Sequence, residues 1–119
     1  MIKIANAHTY AGQGVYVGRQ MPGREGSVLA NQFKIGLDGT REQCIEKYRV
    51  WLRRMYKAGK LHRADGLSDS GPMRVLVEIE RLAAMHKAGQ DIVLICWCRP
   101  QACHAEVIKQ AIEGIASHI

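Results

Sequence analysis

The period of apolar and polar positions changes several times along this chain, and each change marks an element. Ile2, Lys3 and Ile4 alternate, which is the period of a half-buried strand, so a short strand is expected within Met1–Thr9. Gly12 and Gly14 mark a turn. Val15-Tyr16-Val17 is β-branched and aromatic and reads as a second strand ending at Gly18-Arg19. Gln20 to Ser27 is rich in Gly and Pro, has no apolar period and reads as a loop. Val28 to Ile35 carries mixed signals, and Asp38-Gly39 marks a further turn.

A helical period then begins. Thr40 has Gln43 three residues later, the spacing of a capping box. Cys44, Ile45, Tyr48, Trp51, Leu52 and Met55 form one stripe, and Gly59 is expected to stop the helix. Lys60 to Gly71 is polar and aperiodic and reads as an exposed connection. Pro72 suits the first turn of a second helix, whose stripe is Val75, Leu76, Ile79, Leu82 and Ala83 and whose end is Gly89. Ile92-Val93-Leu94-Ile95 is continuously apolar, as expected of a strand buried on both faces. Pro100 ends that run, and Val107, Ile108, Ala111, Ile112 and Ile115 mark a last helix starting near Ala102 or Cys103. Helices between strands plus a doubly buried strand predict one α/β domain over residues 1–119, three-layered and with a mainly parallel sheet.

Composition narrows the setting. The chain has 119 residues, about a quarter charged and about half apolar, the balance of an ordinary globular domain. No run approaches the roughly 20 apolar residues that cross a bilayer, so no membrane partner is expected. The net charge of +6 suits solubility and also favours anionic partners, either nucleotides and phosphorylated metabolites or nucleic acid. Four cysteines are present, three of them around one strand end, and no secretory leader is apparent. Reduced thiols in the cytoplasm are therefore expected, with no disulfide framework.

The chemistry concentrates in Cys96-Trp97-Cys98-Arg99-Pro100-Gln101-Ala102-Cys103-His104, where the buried strand hands over to the last helix. In open α/β sheets, ligands bind beyond the carboxyl ends of the strands. Alternation along a strand points Cys96 and Cys98 to one face and Trp97 to the other. Cys103 and His104 fall at a helix start, where unsatisfied N–H groups favour an anion. Three readings follow. Backbone amides with Arg99 and His104 can hold a phosphate or carboxylate. Cys103, with His104 to hold its proton, can act as a nucleophile. Three thiols and an imidazole can ligate zinc, although adjacent Cys103 and His104 diverge on a helix, so no metal and no other cofactor is expected. One of Cys96 and Cys98 is equally accounted for as a small buried core residue.

Arg19 ends a strand as Cys96 does. If those strands are parallel neighbours, Arg19 and the loop to Ser27 form the opposite wall of one pocket. Gly18, Gly23 and Gly26 would allow close backbone approach to a phosphate, although no Walker lysine follows. The basic flank Arg49, Arg53, Arg54 and Lys57 is expected to be a solvated face, with nucleic-acid contact as the alternative. Tyr48 and Trp51 are expected in the core.

Taken in order, Val15-Tyr16-Val17-Gly18-Arg19, Gly26-Ser27, Asn31-Gln32-Phe33, Thr40-Arg41-Glu42, Tyr48, Trp51-Leu52 and the Cys-Trp-Cys-x-Pro-x-x-Cys-His run resemble an uncharacterised bacterial and phage family, domain of unknown function 4326. The family usually has Pro where this chain has Gln32. The last motif is also similar to that of domain of unknown function 488, which has Arg where this chain has Ala105. The resemblance implies a Rossmann-like fold and a shared site at the last strand, and it implies no activity. The expected function is binding, with processing as an extension, of a nucleotide-like or other phosphorylated small molecule; the alternative is a non-catalytic phage or bacterial binding protein that sequesters a signal nucleotide or contacts nucleic acid, with a structural zinc site ranked below both. Gly18, Arg19, Ser27, Asn31, Cys96, Cys98 and Arg99 are the expected ligand-binding residues, and Cys103 and His104 the reacting ones.

Overall fold

The structure is a computed structural model and describes residues 1–98 and 101–119. Its elements run β1 (Ile2–Asn6), β2 (Val15–Tyr16), α1 (Arg41–Ala64), α2 (Gly71–Lys87), β3 (Ile92–Cys96) and α3 (His104–Ala116). They form a mixed α/β domain with an open, fully parallel three-stranded sheet of order β1-β3-β2.

The continuous apolar run is the central strand, as its composition requires. β3 pairs with β1 from Ile2↔Ile92 to Asn6↔Cys96, and with β2 at Val15↔Leu94 and Tyr16↔Ile95. Val17 N–H extends the second ladder to the Ile95 carbonyl at 3.0 Å. Both ladders therefore finish at the same edge, where Asn6, Val17 and Cys96 lie side by side. Ile2 and Ile4, Val15 and Val17, and Ile92, Leu94 and Cys96 all belong to one apolar cluster. Side chains alternate along a strand, so these residues share one face of the sheet. Tyr48 and Leu52 of α1, Val75, Ile79 and Leu82 of α2, and Val107, Ile108 and Ile112 of α3 close the cluster. The three helices pack on one another as well, most extensively α1 on α2.

The capping box forms as its spacing predicts: Gln43 N–H donates to Thr40 Oγ1 at 3.2 Å, and Thr40 N–H donates to Gln43 Oε1 at 2.9 Å. The predicted end of α1 does not hold. The helix passes through Gly59, takes in Lys60–Ala64 from the expected connection, and stops at Asp65 with Gly66 at φ +81°. Gly59 is buried and serves packing. A Cβ there would lie 2.7 Å from the Pro72 carbonyl oxygen and 2.8 Å from Leu76 Cβ, so its absence lets α1 and α2 approach. The second helix starts on Ser70, whose hydroxyl accepts from Met73 N–H, with Pro72 in its first turn. The third starts on Cys103. Among the described residues, no helix is long and apolar enough to cross a membrane.

Candidate functional site

The carboxyl edge of the sheet and the N-termini of two helices enclose a cavity of about 400 Å³. β2 leads into Gly18 and Arg19, α1 contributes Arg41, Cys44 and Ile45, and the β3–α3 connection contributes Cys98, Ala102 and Cys103. Asn31, Phe33 and Lys34 come from the irregular segment before α1. Arg19, Lys34 and Arg41 are the cations of the described lining, which includes no carboxylate. The positive ends of α1 and α3 add to the same potential.

Two arginines build the walls as well as charging them. Arg19 Nε donates to the Asn31 carbonyl at 2.6 Å and its Nη2 to the Phe33 carbonyl at 3.1 Å. The Asn31 side chain accepts from Phe33 N–H at 2.9 Å, an Asx turn that presents those carbonyls. Arg41 Nη1 donates to the Ala102 carbonyl at 3.0 Å and Nη2 to Gln101 Oε1 at 2.7 Å, tying the start of α1 to the start of α3.

The thiols form a row running inward. Cys98 is half-buried in the cavity wall. Cys103 is buried in the same lining and donates to Cys96 Sγ at 3.2 Å, and Cys96 is fully buried. The neighbouring Cys103 thiol, together with the Arg41 guanidinium and the Arg19 charge, holds the Cys98 thiol down at about 6 against its burial. Hydrogen bonds to Cys96 and Cys98, then burial, push the Cys103 thiol far above its ordinary value. The two thiols are thus shifted in opposite directions, Cys98 down and Cys103 up.

His104 turns away from that row. Its Nε2 lies 2.7 Å from the Val17 carbonyl oxygen and so carries the proton, and its ring meets the edge of Tyr48 at 4.9 Å. Burial is the main force holding its pKa below the usual imidazole value, so the ring is neutral. It pins β2 to α3. Tyr48 in turn donates to the Leu29 carbonyl at 2.6 Å, fixing the loop after β2.

Gly18, Arg19, Asn31, Cys98, Cys103 and His104 thus meet in one cavity, as their sequence positions suggested. Cys96 lies beneath Cys103 and does not line it. The strand ends at Cys96, so Cys98 reaches Cys103 from a bend and not from a shared strand face. Ser27 faces a different depression beside Tyr16 and Gly26, and its hydroxyl accepts from Leu29 N–H at 3.0 Å. Arg99 lies outside the described residues. Trp97 faces away from Cys96, donating to the Tyr16 hydroxyl at 2.6 Å, with the His8 ring at 4.6 Å.

Sequence reasoning did not single out Arg41 and Lys34. The only signal for Arg41 was its place in the Thr40-Arg41-Glu42 piece at a helix start. A larger cavity of about 790 Å³ lies between the three helices, lined by Leu52, Ile79, Val107 and Ile115 and by the charged Arg49, Arg53, Lys60 and Glu80. Its described lining includes the Glu80 carboxylate and holds no thiol, whereas the smaller cavity holds two thiols and no carboxylate. Among the described residues, no three His, Cys, Asp or Glu side chains are grouped to hold a metal ion.

The model of one protein family, Domain of unknown function (DUF4326), matches residues 2–114. No curated protein and no solved structure matches the chain.

Proposed function

The chain belongs to the family of domain of unknown function 4326, and from that premise we propose that it binds a nucleotide-like or other phosphorylated small molecule in the cavity at the carboxyl edge of its sheet. One observation carries the reading: three cationic side chains and two helix N-termini converge on a described lining without a carboxylate. A phosphate there meets guanidinium groups at hydrogen-bonding range and the positive ends of two helix dipoles. A cavity of about 400 Å³ falls within the size range of small-molecule sites, roughly 300–1,000 Å³.

Processing of the ligand, where it occurs, is assigned to Cys98. Cys103 and His104 line the same cavity but are buried and hydrogen-bonded to the protein, whereas Cys98 is the more open sulfur and its pKa is lowered. The proposal includes a Rossmann-like origin for the fold, supported by a parallel sheet whose β2-to-β3 connection is helical and whose carboxyl edge borders the cavity. It also includes a reducing, cytoplasmic setting, supported by Cys96 and Cys103 lying 3.2 Å apart as thiols and not as a disulfide.

Thermal unfolding tests the binding reading. Inorganic phosphate and a panel of nucleoside mono- and diphosphates, compared with chloride at equal ionic strength, should raise the melting temperature. A ligand at about a hundred times its Kd stabilises by about 2.7 kcal/mol. Arg41→Ala and Lys34→Ala should each reduce the rise. No stabilisation by any member of the panel, or an unchanged rise in both variants, rules the reading out.

A further inference from the structure

We propose that the larger cavity, between the three helices, is a second ligand site and that it takes a medium-chain carboxylate, an unbranched apolar tail with an anionic head. The inference goes beyond phosphate binding at the sheet edge and does not rest on it.

The packing of the helices leaves this space open. α1 and α3 each pack on α2 more extensively than on each other. Towards their N-termini they are tied together, Arg41 to the Ala102 carbonyl and Arg49 Nη1 to Gln110 Oε1 at 2.7 Å. One helical turn beyond the second tie, α1 brings Arg53 and α3 brings Gly114, and both line the cavity. A Cβ on Gly114 would meet nothing within 4 Å. Glycine is a poor helix former, and no close contact requires it here as one does at Gly59. Its effect is to leave the mouth of the cavity open.

The floor is apolar. Leu52 of α1, Ile79 of α2 and Val107 of α3 are 4 %, 1 % and 4 % exposed, and all three line the cavity. Half-buried Tyr56 and Ile115 carry that surface outward. The volume of about 790 Å³ falls within the range of small-molecule sites, roughly 300–1,000 Å³. A tail that covers such a floor gains about fourfold in affinity for each CH₂ it buries.

The rim sets the sign of the head. Besides Tyr56, the ionisable side chains of the described lining are Arg49, Arg53, Lys60, Glu80 and His118. Three of them are already engaged. Arg49 pairs with Glu46 at 3.1 Å. Glu80 accepts from two nitrogens of Arg63, which stands outside the lining. His118 Nδ1 lies 2.8 Å from the Gly114 carbonyl oxygen and so donates to it. Arg53 and Lys60 have no carboxylate partner among the described residues. Lys60 Nζ stands 4.7 Å from the centroid of the Tyr56 ring. Arg53, Tyr56 and Lys60 follow one another at helical spacing and share a face of α1. A carboxylate above Tyr56 meets a guanidinium fork and an ammonium, whereas a cationic head is repelled by both.

Magnitudes divide the roles of tail and head. Arg53 and Lys60 are exposed, and an exposed charge pair is worth at most about fivefold in affinity. The tail therefore supplies most of the binding, and the rim selects the charge and orients the ligand. Chain length is the strong readout, and the charge variants are the weak one.

The test is calorimetric titration with hexanoate, octanoate and decanoate, each below the concentration at which it forms micelles. One site per chain is expected, with affinity rising about fourfold per added CH₂. Decanol should bind more weakly than decanoate, and decyltrimethylammonium should not bind. Gly114→Trp fills open space and should abolish binding while holding or raising the melting temperature. Arg53→Ala and Lys60→Ala should each weaken binding by up to about fivefold. Arg54→Ala, on the same helix but off the cavity, should leave it unchanged. If Gly114→Trp fails to fold, Gly114→Leu and the chain-length series of the unmodified protein decide. The proposal is overturned by affinity that ignores chain length, by equal binding of decyltrimethylammonium, or by many sites filling as the melting temperature falls. Loss of binding in Arg41→Ala with full binding in Gly114→Trp puts the tail in the sheet-edge cavity and overturns it too. So does a ligand-free dimer that Gly114→Trp dissociates, which assigns the cleft to a second copy. Stabilisation by phosphate without decanoate binding removes this proposal alone.

Discussion

At the scale of the residue, His104 and Cys98 stand a short distance apart and titrate for opposite physical reasons. Burial disfavours the charged imidazole, and neighbouring donors favour the charged thiolate. His104 has its pKa lowered in the folded state, so the unfolded chain takes up a proton first as the pH drops. Its contribution to stability is complete above the unfolded value of about 6.5 and is lost as pH falls through the lower folded value. Gln offers an N–H to the Val17 carbonyl without titrating there. His104→Gln should therefore lose less melting temperature than the unmodified protein between about pH 7 and pH 5. An equal or steeper decline in the variant would place the acid sensitivity elsewhere. The residue types in the Cys-Trp-Cys to Cys-His run were legible as a site. Their roles were not, because a side chain's charge state depends on partners such as Arg41 and Val17 that are remote in sequence.

At the scale of the element, Gly59 shows how a local signal loses to packing. Glycine is a poor helix former, and its position after an apolar stripe suggested a stop. Inside the α1–α2 contact, a missing Cβ is what the crossing requires. Gly59→Ala gains about 1 kcal/mol in helix propensity. It also forces a methyl against Pro72 and Leu76, and overpacking costs about 1–3 kcal/mol, so a net loss of up to about 2 kcal/mol is expected. Gly114, in α3, is the control. Nothing lies within 4 Å of its absent Cβ, so Gly114→Ala should stabilise by about 0.5–1 kcal/mol. Urea unfolding of both variants checks the pair, and stabilisation by Gly59→Ala would show that the helices can separate at little cost. The stop that does operate, Gly66, was hidden in a polar run with no apolar period to mark its helix.

At the scale of the whole molecule, stability is unevenly spread. β3 is central and paired on both sides, whereas β2 is two residues long and at the sheet edge. The long segment from Val17 to Thr40 has no helix or extended strand, and a few bonds hold it: Arg19 to Asn31 and Phe33, Tyr48 to Leu29, and Ser27 N–H to the Gly18 carbonyl. Native-state hydrogen exchange should follow that order. Amides of β3 and central α2 should exchange at the rate of global unfolding and those of residues 20–39 much faster. Uniform protection of that segment would mean that it unfolds with the core. One wall of the cavity therefore belongs to a low-stability region, and a ligand that bridges Lys34 to Arg41 should raise its protection.

The sequence by itself determined what depends on spacing along the chain: the capped start of α1, the buried run that becomes the central strand, and the helix that begins on Cys103. Tertiary structure decided what depends on separation in space. It brought Arg41 across to Ala102, sent Ser27 to a different depression, let α1 run through Gly59, and left Cys98 more open than Cys103 on one cavity lining. The physical reason is range. Backbone propensity, capping and apolar period act over a few residues and can be read in order. Burial, ion pairing and the charge on a thiol are set by neighbours that only the packing of helices against the sheet brings together.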